Sequence, residues 1–157
     1  MASRLNIHLC KNNLIDETQS AYRQHHSTET ALLKVQTDIL MALDQGSVAV
    51  LLMLDLSAAF DTIDHRILLN RFEHMFGITG PALAWFVSYL TDRYQSVTFG
   101  EAVSTGKLLK FGVPQGSVLG PIVYCMYTKP VGDIIRRHGL LHHCYADDTQ
   151  VYHSQTI

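Results

Sequence analysis

The sequence lacks the features of a disulfide-stapled, secreted or membrane-spanning protein. It contains three cysteines, an odd number without paired spacing, which excludes a disulfide framework and predicts reduced thiols. No run approaches the ~20 consecutive apolar residues that a membrane span requires. The first residues, from Met1 to His8, lack the apolar centre of a signal peptide. The chain is therefore expected to act inside the cell, in the cytoplasm, the nucleus or both, without a membrane partner.

Charge of either sign is also sparse. Only 17% of the residues are charged, and the net charge is -2 at pH 7. A protein that binds nucleic acid on its own normally presents a basic surface, so this balance argues against strong independent binding. The nine histidines show no spacing with cysteine or a second acid that is typical of a zinc site.

The hydrophobic content of 47% suffices for one sizeable core, and no linker or repeat divides the chain, so residues 1–157 are predicted to form one domain.

Two adjacent acids stand out near the carboxyl end. Asp147 and Asp148 are predicted to lie at the tip of a short β-hairpin, where like charges repel unless a divalent cation offsets them. A third acid, Asp55, follows the apolar run Val48–Leu54, which is predicted to be a fully buried strand. If the two strand ends meet, three carboxylates converge as a two-metal phosphoryl-transfer site requires. Each acid taken alone is more often part of a solvated turn or a helix cap.

A loop rich in glycine and proline, residues 112–121, lies between these acids. Its glycines let the backbone approach a ligand closely, and the amide of Gln115 can both donate and accept hydrogen bonds. Ser117 is predicted to cap the helix that follows, whose amino end favours anions such as phosphate. Without the acidic residues around it, this segment would be read as an ordinary turn.

Four ordered segments together resemble the reverse transcriptase family, and within it the non-LTR (LINE-type) retrotransposon enzymes. They read QSAYRQHHSTETAL at residues 19–32, LDLSAAFDTIDH at 54–65, GVPQGSVLGP at 112–121 and YADDTQVY at 145–152. The resemblance runs from about residue 14 to residue 153, which is nearly the whole chain.

The resemblance implies an α+β fold: a polymerase palm, with an antiparallel sheet and helices on one face, plus partial fingers. About residues 1–46 would belong to the fingers, and residues 47–153 would form the palm core. The thumb would be absent, so the chain is expected to be a truncated retrotransposon fragment whose longer parent supplies it. Local patterns predict helices from Ser27 to Gly46, around 64–75, around 81–90 and over 117–137, and strands ending at Asp55 and over 94–99, 108–113, 140–145 and 149–152.

By the same resemblance, the chain would be an RNA-directed DNA polymerase that joins deoxynucleoside triphosphates (dNTPs) to a DNA primer along an RNA template. Two Mg²⁺ ions, with Mn²⁺ as the alternative, would be held by Asp55, Asp147 and Asp148 and by the backbone carbonyl of Leu56. Asp55 and Asp147 are the expected bridging ligands. Asp148 is the weaker third, because adjacent strand residues point to opposite sides unless a turn redirects them.

Four further residues are expected to bind substrate. Phe60 occupies the position where this family places an aromatic ring beneath the incoming sugar, and its structural alternative is a core aromatic. Gln115 and Gly116 would contact substrate from the Gly-rich loop. Arg23 resembles the fingers arginine near template or nucleotide, and its alternative is an ordinary surface charge.

Two other functions stay open at this point. The chain could be a catalytically inactive remnant that binds nucleic acid or another chain, which the acidic balance and the truncation favour. It could also be a metal-dependent phosphatase or nuclease that uses the same acids, which would have no need of Phe60 or Gln115.

Overall fold

The computed structural model describes residues 1–156, which form two compact units. One unit joins Met1–Ser57 to the chain from Pro121 onward, and the other is Ala58–Gly120. The helices are α1 (Ala2–Lys11), α2 (Thr28–Asp44), α3 (His65–His74), α4 (Gly80–Leu90) and α5 (Gly120–Arg137), with a 3-10 turn at Ala59–Asp61. The strands are β1 (Ser47–Leu54), β2 (Tyr94–Gln95), β3 (Thr98–Phe99), β4 (Ala102–Val103), β5 (Lys107–Leu108), β6 (Leu141–Tyr145) and β7 (Asp148–Thr156). The expected division into fingers and palm near residue 46 stays a prediction.

The first unit is built on a three-stranded antiparallel sheet in the order β1-β7-β6. The predicted hairpin of β6 and β7 is confirmed, with Tyr145 opposite Asp148. Strand β7 is longer than its local pattern indicated, because its ladder with β1 continues from Leu54 opposite Thr149 to Ser47 opposite Thr156. This ladder brings the end of β1 beside the start of β7.

The prediction that β1 is fully buried is wrong. It lies at the edge of the sheet with a strand on only one side, and its apolar side chains are exposed, with 67% for Val50 and 75% for Met53. An unbroken apolar run indicates a strand that prefers burial, but it does not show what covers that strand. In residues 1–156, β1 therefore presents an apolar strand edge.

Helices contact both faces of this sheet. The Tyr152 hydroxyl donates to Asp38 of α2 at 2.6 Å, whereas Thr149 lines a cavity with Tyr124 and Cys125 of α5. Thr149 and Tyr152 are three positions apart in β7, and side chains alternate along a strand, so they lie on opposite faces. The α+β class is confirmed, while the placement differs from the expected single helical face, because strand alternation gives this narrow sheet two faces to cover.

Helix α2 begins where its capping residues predict. The Thr30 amide donates to the Ser27 hydroxyl at 3.3 Å and the Ser27 amide donates to the Thr30 hydroxyl at 2.9 Å, which closes a capping box. Gly46, with φ of +76°, follows the helix end as predicted. Helix α1 has no counterpart among the predictions; it buries Leu5 and Leu9, which are one helical turn apart.

The second unit is held by its two helices. Phe72 of α3 and Phe86 of α4 lie with ring centroids 4.5 Å apart, and Leu68 and Ile63 are fully buried around them. Both helices were predicted close to their observed bounds. The strand predicted over 94–99 is instead divided into β2 and β3, which pair with β5 and β4, because each half finds a different partner. Of its predicted partner segment, 108–113, only Leu108 lies in a strand.

Helix α5 begins at Gly120 rather than at Ser117. The Ser117 hydroxyl accepts a hydrogen bond from the Gly120 amide at 3.0 Å, so the predicted capping role is present at the helix start. Pro130 lies inside the helix without ending it. None of the helices in residues 1–156 combines the length and apolar character that a membrane crossing requires.

Candidate active site

Two of the three predicted carboxylates share a pocket at the end of β1. Leu54 pairs with Thr149, so the next residue, Asp55, lies beside Asp148 across the antiparallel ladder. Both acids are exposed. They line an open pocket with a volume of ≈ 240 Å³, together with Met53, Leu54, Thr149 and Gln150. The register of the sheet, rather than proximity in sequence, brings these carboxylates together.

Asp147 occupies the turn between β6 and β7 and does not line that pocket. It is half-buried, and its negative charge acts on the tyrosines of this unit. Burial first, and the charge of Asp147 second, raises the pKa of Tyr124. Asp55 thus shares its pocket with Asp148, the expected weaker third ligand, because β7 begins at Asp148 and places it in the ladder. The metal-ligand roles of all three acids stay predictions.

The pocket offers oxygen donors of the kind that magnesium prefers. Besides the two carboxylates, it is lined by Gln150, whose Oε1 is buried and lacks a hydrogen-bond partner among the described atoms. Carboxylate and amide oxygens are hard ligands that suit Mg²⁺. No group of three or more His, Cys, Asp or Glu side chains in residues 1–156 lies close enough together to hold a metal ion. Leu56, the expected carbonyl ligand, is exposed and lines a cavity on the α5 face with Ala146 and Thr149.

The hairpin that carries the acids is anchored by a segment before α2. The Ser20 amide donates to the carbonyl of Cys144 at 2.9 Å, and the Cys144 amide donates to the carbonyl of Thr18 at 2.9 Å. Between them, the buried side chain of Gln19 bonds to Ala146, the residue before Asp147. The sequence interpretation missed Gln19. Its only sequence signal is that it opens the segment at residues 19–32.

Arg23 contacts its own loop. Its Nη1 donates to the carbonyls of Glu17 and Gln19 at 3.2 Å each, and to that of Asp16 at 3.5 Å. A guanidinium group that donates to several backbone carbonyls fixes the course of the loop. The contact of Arg23 with template or nucleotide stays a prediction.

A polar network around the half-buried Asp16 was also missed. Arg136 donates to both carboxylate oxygens, at 3.1 and 3.0 Å, and the Thr18 hydroxyl donates to Oδ1 at 2.7 Å. His142 Nε2 lies 2.7 Å from that hydroxyl, which accepts from it because its own proton goes to Asp16. Burial alone would raise the pKa of Asp16, but the polar contacts with His142, Arg136 and Thr18 hold it well below its usual range. Gly132 leaves room for the network, since a Cβ there would collide with Asp16 and His142.

In the second unit, the Gly-rich loop is fixed against the turn that carries Phe60. The Val113 amide donates to the Phe60 carbonyl at 3.0 Å, and the Gly112 amide donates to the Ile63 carbonyl at 2.8 Å. Gly112 has φ of +82°, and a Cβ there would lie 3.0 Å from the Cα of Asp61. Only glycine meets both conditions without strain.

The predicted substrate-binding residues of this unit lie close in the fold. Gln115 Nε2 donates at 3.0 Å to Oδ1 of Asp61, the residue that follows the half-buried Phe60 in the chain. Gly116 is exposed in the same loop with φ of +73°. An open groove of ≈ 980 Å³ lies beside them, lined among others by Asp61, Arg93, Lys110 and Gln115. The structure thus groups Phe60, Gln115 and Gly116 within one unit, while Arg23 belongs to the other.

Comparison with known proteins identifies the family. Residues 1–156 match the family model described as "Reverse transcriptase (RNA-dependent DNA polymerase)". The chain therefore belongs to the reverse transcriptase family, and the resemblance of its four segments is confirmed.

Two of its curated relatives come from non-LTR retrotransposons of Drosophila melanogaster. The chain is 32% identical over 128 residues to the probable RNA-directed DNA polymerase from transposon BS. The match covers 82% of this chain and 14% of that protein. It is 34% identical over 144 residues to the RNA-directed DNA polymerase from mobile element jockey of the same species. That match covers 87% of this chain and 15% of the jockey protein. The chain thus spans a small part of the length of these relatives.

A solved structure has the same fold. The telomerase from Candida albicans, determined in complex with a fragment of telomeric RNA, superposes with a TM-score of 0.71. The match covers 96% of this chain and 30% of the telomerase chain at 16% sequence identity. At this identity the likeness shows the fold alone.

Proposed function

We propose that this chain forms the catalytic core of an RNA-directed DNA polymerase. The observation that carries the proposal is the pocket at the end of β1, where the sheet register brings Asp55 and Asp148 together in a chain of the reverse transcriptase family. Because the chain spans 14% and 15% of the length of the relatives from BS and jockey, the activity is proposed for the polypeptide that carries this sequence. The proposal also places that polypeptide inside the cell, in the cytoplasm, the nucleus or both.

Asp55, Asp147, Asp148 and the carbonyl of Leu56 are the proposed ligands of two Mg²⁺ ions, with Mn²⁺ as the alternative. When bound, the ions would activate the primer 3′-hydroxyl and neutralise the triphosphate and its leaving pyrophosphate. The carboxylates would supply negative charge at fixed positions, and no residue would form a covalent intermediate. Catalysis would then rest on positioning and electrostatic stabilisation.

The proposed substrates are a dNTP, a DNA primer and an RNA template. Phe60 is proposed to lie beneath the incoming sugar and to exclude the 2′-hydroxyl, which is the group that distinguishes RNA from DNA. Gln115, Gly116 and Arg23 are proposed to contact nucleotide or template. The matching family is described as RNA-dependent DNA polymerase, which supports an RNA template. Other parts of the polypeptide would supply the thumb that holds the duplex.

A primer-extension assay on an RNA template tests this function. We expect extension that requires Mg²⁺ and that falls by about 100-fold or more in Asp55→Asn, which removes one ligand charge without changing the shape of the side chain. The matched control is Asp44→Asn, an exposed acid at the end of α2. Hydrolysis of phosphate esters without primer extension would support a phosphatase or nuclease instead, and a folded protein inactive in both assays would support a remnant.

A further inference from the structure

We propose that Gln19 is a positioning residue that holds the turn carrying Asp147 in its working conformation. The inference rests on the proposed function, since it assigns Gln19 to the same carboxylate site. Gln19 lies in the segment before α2, 127 residues from the turn that it contacts.

The turn has a conformation that its sequence does not favour. Strand β6 ends at Tyr145 and β7 begins opposite it at Asp148, so Ala146 and Asp147 form a two-residue loop. Ala146 has φ of +57°. Two-residue hairpin loops with a left-handed first residue strongly prefer glycine there, because a Cβ is strained in that region. An alanine stays in this strained conformation only if contacts with surrounding residues hold it there.

The side-chain amide of Gln19 supplies that constraint. Its Nε2 donates to the Ala146 carbonyl at 3.1 Å, and its Oε1 accepts from the Ala146 amide at 3.0 Å. Both backbone polar groups of the strained residue are therefore bonded to one side chain. Gln19 is only 4% exposed, so water does not compete for these bonds.

Gln19 is itself fixed on three sides. Its Oε1 also accepts from the Ala21 amide at 2.9 Å, and its own carbonyl accepts from Arg23 Nη1 at 3.2 Å. The residues on either side of it are bonded to the backbone of Cys144 in β6. The amide is thus held by backbone and side-chain contacts and cannot follow the turn if the turn moves.

The consequence concerns Asp147 and Asp148, which continue the chain directly from Ala146. With both polar groups of Ala146 bonded, these acids begin from a fixed peptide plane. Without the amide, Ala146 is free to leave the left-handed region, and the turn that carries the acids changes with it. A displacement of about 1 Å in a catalytic group can cost about 100-fold in rate.

Hydrogen exchange at the Ala146 amide tests the clamp directly on the chain as it stands. Gln19→Leu keeps the size of the side chain and removes the amide. Ser20→Ala is the matched control, because it removes one buried hydrogen bond, to His143 at 2.8 Å, from the neighbouring position. We expect Ala146 to exchange at least about tenfold faster in Gln19→Leu and at its ordinary rate in Ser20→Ala. Unchanged exchange in Gln19→Leu would overturn the proposal.

Primer extension by the polypeptide that carries this sequence gives the functional test. We expect Gln19→Leu to lower kcat by about tenfold or more with little change in KM for the dNTP, because the clamp does not bind substrate. Adding Ala146→Gly should recover much of the loss, since glycine adopts the turn unaided. Equal losses in Gln19→Leu and Ser20→Ala, without rescue by glycine, would contradict a positioning role.

A second variant and a second measurement cover the cases in which Gln19→Leu does not fold or the polypeptide is inactive. If Gln19→Leu does not fold, Gln19→Glu replaces it, since glutamate keeps the acceptor for the Ala146 amide and loses the donor to its carbonyl. We expect Ala146 to stay protected in that variant and kcat to fall, and loss of protection there would contradict the clamp. If the unmodified polypeptide does not extend a primer, the proposed function fails, and the exchange measurement alone decides the clamp.

Discussion

At the scale of single residues, long-range polar contacts fix the segment before α2 against the rest of its unit. Gln19 holds the turn at Ala146, and Asp16 joins that segment to β6 and α5 through His142 and Arg136. Neither contact could be read from the sequence, because each joins residues more than a hundred positions apart. Gln19 is buried, so removing its side-chain amide leaves the backbone groups of Ala146 without these partners.

Asp16→Asn should lower the free energy of unfolding by about 2 kcal/mol at neutral pH, because it removes the negative charge that strengthens the hydrogen bonds from Arg136 and Thr18 to this largely buried carboxylate. Chemical unfolding measures the loss, and Asp133→Asn is the control, since its contact with Arg136 is exposed and is worth less than about 1 kcal/mol.

The contribution of Asp16 to the free energy of unfolding should decrease in acid. The pKa of Asp16 is lower in the folded state than its ordinary value of 3.8, so its contribution is fully present above that pH and is lost as the pH falls below it. The difference between the original protein and Asp16→Asn should therefore narrow below pH 3.8. A difference that grows in acid would contradict the network.

Phe60→Ala should admit ribonucleotides more readily, by about tenfold or more in the ratio of kcat/KM for ribo- and deoxyribonucleotides. The reason is that the ring would no longer exclude the 2′-hydroxyl. Single-nucleotide incorporation measures the ratio, with Phe99→Ala as the control, because Phe99 lies in the same unit and is 88% exposed. An unchanged ratio would return Phe60 to a packing role.

At the scale of elements, the sequence was most informative where a pattern is local. The helix predicted from Ser27 and the hairpin predicted over 140–145 and 149–152 both agree with the structure. It was least informative about what lies against an element. The apolar run of β1 does not reveal that it is an edge strand, and the spacing of Leu5 and Leu9 is too short a signal for α1.

In the candidate site, too, the sequence indicates the residues but not which of them lie together. Asp55, Asp147 and Asp148 could be selected from sequence because acids at strand ends and turns are conspicuous. Which two share a pocket could not be selected, since that depends on the register of β1 with β7. The register extends along eight ladder pairs, none of which contains the two acids.

Gly112→Ala should destabilise the second unit by about 3 kcal/mol, since the new Cβ would meet the backbone of Asp61 at 3.0 Å and φ of +82° disfavours alanine. Gly100→Ala is the matched control, because it has φ of +59° and open space around it. It should cost only about 1 kcal/mol. Thermal unfolding of both variants would show the difference, and equal costs would contradict the close approach of the loop.

Val50→Lys should reduce self-association of the chain. Val50 is 67% exposed on the β1 edge, and a lysine on an exposed strand edge opposes pairing with another strand. Light scattering over a range of concentrations would measure the effect. Val97→Lys is the control, since Val97 is 66% exposed but lies outside the strands. If both lysines change association equally, net charge rather than the strand edge is responsible.

At the scale of the whole molecule, the family match and the register of the sheet both support the proposed polymerase function. The chain matches the reverse transcriptase model over residues 1–156, and its sheet brings together carboxylates that are 93 positions apart, since 148 − 55 = 93. Its net charge of -2 gives it little electrostatic attraction for nucleic acid. Binding of a duplex is therefore expected to depend on basic surfaces in other parts of the polypeptide.

Template-directed incorporation of a single nucleotide tests the central claim most directly. A DNA primer is annealed to RNA templates that differ only in the first unpaired base, and each dNTP is offered separately with Mg²⁺. We predict that the incorporated nucleotide changes with the RNA base and that Asp55→Asn lowers incorporation by about 100-fold or more, while Asp44→Asn does not. Incorporation that ignores the template base, or that is as fast in Asp55→Asn as in Asp44→Asn, would contradict the assignment of this chain as a reverse transcriptase core.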